Sequence, residues 1–349
     1  MMKLIHSALF LLSVVLLASC SKEQVANNVP EDWPKSLKWA YTPSPEMPEE
    51  RLNFRKEVQA YLSKYIGIPV KLYETSSYGP TIEAMRSSKI DMATGSTFAF
   101  MIAAEKAEVE PLAVRGFIND DGSYRTGGYH SIIAVPANSP YNSLEDLKKH
   151  GSEITFSFVD ASSTSGHLIP RGGLEENGID PDEVFKRVVF TQHHLNSVMT
   201  IISGKVDAGG VNYTQFSRLV AKGKVEESDI KILWRSPPIL NSPVYVRNAL
   251  PRSLKEKIRE AYMNMYFIAP ELRERRRELY PTSEQWGIHY VPVYDHMFDE
   301  LRSLAKNVKT MFLLEGRTGL NDWNEEKRIA FLEDQKALNE TSLALIAPN

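Results

Sequence analysis

Cys20 is the only cysteine in this chain of 349 residues. No intramolecular disulfide can form, so folding rests on the hydrophobic core. The sequence contains no Cys-x-x-Cys and no His-Glu-x-x-His, which removes the common zinc signatures and leaves no metal site to expect. It also lacks Gly-x-Ser-x-Gly, the elbow that presents a hydrolase serine. An excess of either charge is missing as well. Lys and Arg number 41 against 44 Asp and Glu, a formal net charge of −3, which argues against a nucleic-acid partner. No internal repeat or low-complexity tract interrupts the chain.

The N-terminus reads as a processing signal. Lys3 supplies a positive start, and Ala8 to Leu17 is mostly apolar but too short to span a membrane. Leu17-Ala18-Ser19-Cys20 matches the bacterial lipobox. Residues 1–19 are therefore expected to be a lipoprotein signal peptide. Cys20 is the expected lipidation site, and 20–36 a polar tether carrying Pro30 and Pro34. Several acyl chains on one residue anchor stably where one chain does not. The expected location is the extracytoplasmic face of a membrane, in the periplasm if the envelope has one.

Beyond residue 36 the chain is long enough for two domains. Strands are expected at 37–41, 70–74, 90–94 and 110–114, alternating with helices at 49–66, 78–88 and 99–107. A second alternating unit runs over 129–234, with strands near 131–136, 153–159, 186–190, 205–210 and 230–235. From Leu254 the pattern is mostly helical, with long helices around 294–313 and 324–345. This order predicts a two-lobed α/β fold. Lobe 1 takes 37–128 and 235–349, lobe 2 takes 129–234, and two crossings act as hinges beside a cleft.

The strand that ends at Val159 leads into Asp160-Ala161-Ser162-Ser163-Thr164-Ser165-Gly166. Four consecutive hydroxyl residues at a helix start exceed what a single cap requires. Free N–H groups and the helix dipole make such a place suited to an anion, although a plain Ser/Thr-rich turn reads the same way. Ligands in open α/β sheets sit beyond the carboxyl ends of strands, where this loop falls.

These segments, in order, resemble the periplasmic solute-binding proteins of phosphonate, phosphite and phosphate ABC transporters. The resemblance spans roughly Leu37 to Arg259 and is carried by Ser76-Ser77-Tyr78, Lys89-Ile90-Asp91-Met92-Ala93, Phe158 to Gly166, Leu168-Ile169-Pro170, Phe190 with His194, and Gly204 to Gly209. It implies a type II-like binding-protein fold without enzymatic activity or cofactor. It also implies that Ser163, Thr164 and Ser165 cradle a phosphorus oxyanion, that Tyr78 closes from lobe 1, and that His194 and Asp207 tune the preferred protonation state. The implied partners are a small oxyanion, an ABC permease with its ATPase, and the membrane through the lipid. The protein itself is expected to be a monomer.

Two departures bear on the ligand. The stretch Gly95-Ser96-Thr97-Phe98-Ala99-Phe100 replaces a Gly-Pro-rich aromatic one, and Ser96 and Thr97 become candidate donors. Leu195 stands where the family commonly has an Asp, next to the pair His193-His194. An amine would lose a partner there, which points to a small inorganic oxyanion over an aminoalkylphosphonate. Two alternatives stay open. One is a sensor role, presenting ligand to a membrane kinase. The other is a binder of a different small oxyanion; a triad-like set of Ser163 or Ser165 with His194 and Asp207 fits less well, because hydroxyl donors converging on one anion suit binding better than nucleophilic attack.

Overall fold

The computed structural model describes residues 29–41 and 49–307. Cys20, most of the tether and the helix expected over 324–345 lie outside the described residues, as does the end of the helix expected over 294–313.

The first half of the chain supplies strands Leu37–Tyr41 (β1), Val70–Glu74 (β2), Met92–Thr94 (β3), Val109–Ile118 (β4), Tyr124–Thr126 (β5), Gly128–Tyr129 (β6), Ser131–Pro136 (β7) and Thr155–Phe158 (β8). The second half adds Arg187–Phe190 (β9), Ala208–Asn212 (β10), Ile230–Arg235 (β11), Ile239–Leu240 (β12), Val244–Arg247 (β13) and His289–Pro292 (β14). They form two large sheets. One has the order β14-β4-β13-β3-β1-β2, with β5 on β4, and the other β11-β7-β10-β8-β9. In each, the strands joined through helices pair in parallel, β1 with β2 and β3, and β8 with β9 and β10. Strands that return by other routes, such as β13 against β3 and β7 against β10, are antiparallel. The short pair β6 and β12 joins the two crossings, Tyr129 opposite Ile239. This is the two-lobed type II architecture.

Helices cover both faces of both sheets, so the central strands read as unbroken apolar runs. Every residue of β7 is buried. In lobe 1 one face packs Trp39, Phe54, Leu62 and Met265, the other Ile82, Met85, Phe98 and Phe100. Phe156, Phe158 and Leu174 fill one face of the second sheet, and Val198, Ile201 and Phe216 the other. Leu168, from the second lobe, is fully buried in the Phe98–Phe100 cluster of the first. The lobes are therefore in contact at the cleft.

Local signals set the helix limits. Glu49–Ile66 starts with two glutamates, carries Lys64 in its last turn, and stops at Gly67, whose φ is 90°. The expected helix over 294–313 differs. Strand β14 ends at Pro292, a 3-10 turn covers Asp295–Phe298, and the α-helix begins only at Asp299. Tyr290, Val291 and Val293 favour extended backbone, and β14 is a sheet edge where its proline forfeits no ladder bond.

Candidate functional site

The loop after β8 is held from several sides. Asp160 Oδ1 accepts the Ser162 N–H at 2.7 Å. Ser163 Oγ accepts the Gly166 N–H at 3.1 Å, which leaves the hydroxyl proton available to donate. The following turn, Thr164–Leu168, is wound as a π-helix before Ile169–Glu176 continues as α-helix with Pro170 in its first turn. A Cβ on Gly166 would lie 2.4 Å from Val159 Cγ2, so only glycine lets the loop fold back this tightly. His167 Nδ1 donates to the Ala161 carbonyl at 2.8 Å. Burial pushes the His167 pKa down to about 4, against the pull of that hydrogen bond. The ring is a neutral strut under the loop.

The loop borders a cavity of about 310 Å³ between the lobes. Tyr78, Ser96, Ser163, Ser165 and His194 line it. Ser96 caps helix Thr97–Ala107 through the Ala99 N–H, and its own proton goes to the Ser162 carbonyl at 2.7 Å. It therefore ties the lobes together more than it reaches for a ligand.

Three expected residues stand elsewhere. Thr97 Oγ1 donates to the Leu240 carbonyl at 3.0 Å. Thr164 is fully buried, and its Oγ1 accepts the Phe98 N–H at 2.8 Å, capping a helix of the opposite lobe. Asp207 precedes β10, which runs parallel to β8, so it lies beside the start of β8. There its Oδ2 accepts the Thr155 N–H at 2.7 Å, at the far end of the sheet from the cleft. Leu195 packs on the apolar cluster of Val198 and Phe216, so its side chain is part of the lobe 2 core. Among the described residues no group of three His, Cys, Asp or Glu side chains is placed to hold a metal.

The structure adds residues that sequence order did not reveal. Tyr129, on the hinge strand β6, is buried beside the loop. Burial raises its pKa, and hydrogen bonds with Ser165 and Thr164 oppose the rise. Arg55, Arg115, Arg218 and Arg276 also line the cavity, with Tyr266, Tyr280 and Tyr290. The guanidinium carbons of Arg51, Arg276 and Arg218 lie 4.8, 4.9 and 5.8 Å from the Tyr280 ring centre. Burial, reinforced by the charge of Arg276, pushes Arg115 down to about 10. Burial would raise Tyr280, yet the charges of Arg51, Arg55, Arg276 and Arg218 carry it below its ordinary value. Among the described residues no Asp or Glu lines the cavity.

Arg276 belongs to the run Arg273 to Arg277, whose composition reads as a solvated helical face. Arg275 and Arg277 do face solvent, paired with Glu278 and Glu274. Arg276 is turned inward and buried.

Comparison with known proteins is consistent along the chain. The family described as the periplasmic substrate-binding protein of phosphonate ABC transporters matches residues 41–280. The phosphonates-binding periplasmic protein of Escherichia coli is 28% identical over 250 residues, 70% of this chain and 72% of that one. A phosphate-import protein of Mycolicibacterium smegmatis is 27% identical over 307 residues, 84% and 92% of the respective chains. Among solved structures, a binding component of an ABC phosphonate transporter from Pseudomonas aeruginosa superposes with a TM-score of 0.65. It is 25% identical and covers 90% of this chain and 97% of its own.

Proposed function

The chain belongs to the periplasmic phosphonate substrate-binding proteins of ABC transporters, and we propose that it captures a phosphorus oxyanion in the cleft described above. Members of this family are transport components and not enzymes; they serve a permease and its ATPase. The observation that carries the ligand reading is the convergence of Ser163, Ser165, Tyr78 and His194 on one interlobe cavity at the start of a helix. Neutral hydroxyls and helix N–H groups can grip a tetrahedral oxyanion and still release it.

Ser163 and Ser165 donate from the second lobe, supported by Tyr129, and Tyr78 closes from the first. Thr164 and Ser96 act one step back. Their bonds to Phe98 and Ser162 cross between the lobes and hold the closed state. Hydrogen bonds to a charged ligand are worth roughly 1.5–3 kcal/mol each. Four of them give about 8 kcal/mol, or micromolar affinity, once hinge and ordering costs are subtracted.

Titration with phosphate, phosphite, methylphosphonate, aminoethylphosphonate and sulfate tests this. Trp39 lines the cavity, so tryptophan fluorescence should respond, with calorimetry giving the affinity. Binding of a phosphorus oxyanion at micromolar levels is expected. Binding of sulfate alone, or of none, would sink the reading. We also propose that Cys20 carries the lipid anchor. Cys20→Ser should release the protein from the membrane fraction, and unchanged membrane retention would count against it.

A further inference from the structure

The cavity arginines exceed what a hydroxyl loop needs to hold one tetrahedral head at Ser163 and Ser165. They come from separated elements: Arg55 from helix Glu49–Ile66, Arg115 from β4, Arg276 from helix Pro270–Leu279. Arg218 joins them from helix Tyr213–Ala221 of the second lobe. Among the described residues, Arg55, Arg115 and Arg276 make no ion pair. The Arg55 guanidinium lies 4.3 Å above the Tyr41 ring, and Arg276 lies on Tyr280 and hydrogen-bonds Tyr266. Nε of Arg55 and of Arg276 is buried without a hydrogen-bond partner.

Stacking on aromatic faces is worth about 0.5–2 kcal/mol per cation. That compensates poorly for gathering several like charges out of water, where an uncompensated buried charge costs several kcal/mol. The cleft is also closed with Arg218 brought up to the Tyr280 cluster, which adds another cation. Elsewhere some buried cations are paired, Lys255 with Glu110 and Arg247 with Asp91, while Arg259 is held over the Tyr294 ring without a hydrogen-bond partner. What sets the cavity apart is that three such arginines line one space, where an anionic group of the ligand supplies counter-charge. Its volume of about 310 Å³ falls at the lower edge of the range of roughly 300–1,000 Å³ typical of organic-ligand pockets.

We propose that the cleft takes an organic phosphonate or phosphate ester bearing a second anionic group, a carboxylate or another phosphoryl, seated on Arg55, Arg115 and Arg276. This rests on the hydroxyl loop being the oxyanion site. Guanidinium forks match both carboxylate and phosphoryl oxygens, whereas the ammonium of an aminoalkylphosphonate would be repelled. The second group works as an electrostatic latch by offsetting the repulsion between Arg218 of the second lobe and the arginines of the first.

The test is calorimetry on the purified protein with methylphosphonate, aminoethylphosphonate, phosphonoacetate, methylenebisphosphonate and malonate. Phosphonoacetate or methylenebisphosphonate should bind at least about tenfold more tightly than methylphosphonate, one charge-assisted contact being worth that much. The tighter of the two identifies the second group as carboxylate or phosphoryl. Aminoethylphosphonate should be the weakest phosphorus ligand. In Arg276→Gln and Arg55→Gln the preference should collapse to the methylphosphonate level, with methylphosphonate itself little affected. Methylphosphonate equal to the two-armed ligands in the wild-type protein overturns this inference and leaves the oxyanion reading standing. Malonate binding without any phosphorus ligand overturns the oxyanion reading and this inference with it. The wild-type series decides the matter even if a variant fails to fold.

Discussion

The proposed site sets two kinds of donor against each other. One proposed set is Ser163 and Ser165 with Tyr129 behind them, neutral groups fixed by a capped loop, a π-turn and a buried histidine. The other is Arg55, Arg115 and Arg276, charged groups contributed by three distant elements, of which Arg55 and Arg276 rest on tyrosine rings. Neutral donors discriminate by direction and distance and cost little to leave empty. Buried guanidiniums discriminate by charge and are costly to leave empty. A site that used only the first would select a tetrahedral shape, and one that used only the second would accept any polyanion. Together they select a shape with a charged tail.

Mutation can break this contrast. Ser163→Ala or Ser165→Ala should weaken every phosphorus ligand by roughly 1.5–3 kcal/mol, whatever its tail, as read by calorimetry. A loss confined to two-armed ligands would mean that the hydroxyl set does not act alone. pH sharpens the contrast next. An unfolded histidine takes its proton near pH 6.5, whereas folded His167 resists protonation until about pH 4. Between those values the unfolded chain binds more protons, so stability must fall as the pH drops, by up to about 1.4 kcal/mol per unit.

From pH 7 to pH 5 the contribution of His167 should be about 2 kcal/mol, seen as a difference in urea midpoint that His167→Gln removes. An identical pH slope in that variant would take His167 out of the account. The arginine set is silent over the same interval, since even Arg115 loses its proton only near pH 10. The smallest expected effect is that of Thr164→Ala. It should weaken binding by about tenfold, roughly 1.4 kcal/mol, through a faster off-rate, because the hydroxyl ties one lobe to the other. An unchanged off-rate with a slower on-rate would place Thr164 outside the closing contact.

The same contrast explains what could be read from the chain. The hydroxyl loop is contiguous, so its donors stand side by side in the sequence and the preceding strand tells which end of a sheet they occupy. Tyr78 opens a helix after a loop, which marked it in the sequence, whereas His194 came from the resemblance and its place at a helix start was not read from the chain. The parallel strands and their covering helices follow from apolar periodicity. Asp207 was carried into the cleft by the resemblance, which does not say at which end of β10 the acid stands. Strand register decides that.

The arginine set has no local pattern. Arg55 and Arg115 are single residues in ordinary elements, and Arg276 is one of four arginines in a run, singled out only by helical phase. β13 and β14 were missed because they pair with strands more than a hundred residues earlier. Both are four residues long, too short for periodicity to carry them.

The bond from the Phe98 amide to Thr164 Oγ1 has one more consequence. Helix Thr97–Ala107 begins in one lobe but borrows this acceptor from the other. Each separation of the lobes strips that amide of its partner and hands it to solvent. Its proton can then exchange for deuterium only as often as the cleft gapes, while the Ala99 amide, accepted by Ser96 of its own lobe, gives a neighbouring control. One backbone proton thus keeps time for the empty receptor, and a bound ligand should stop that clock.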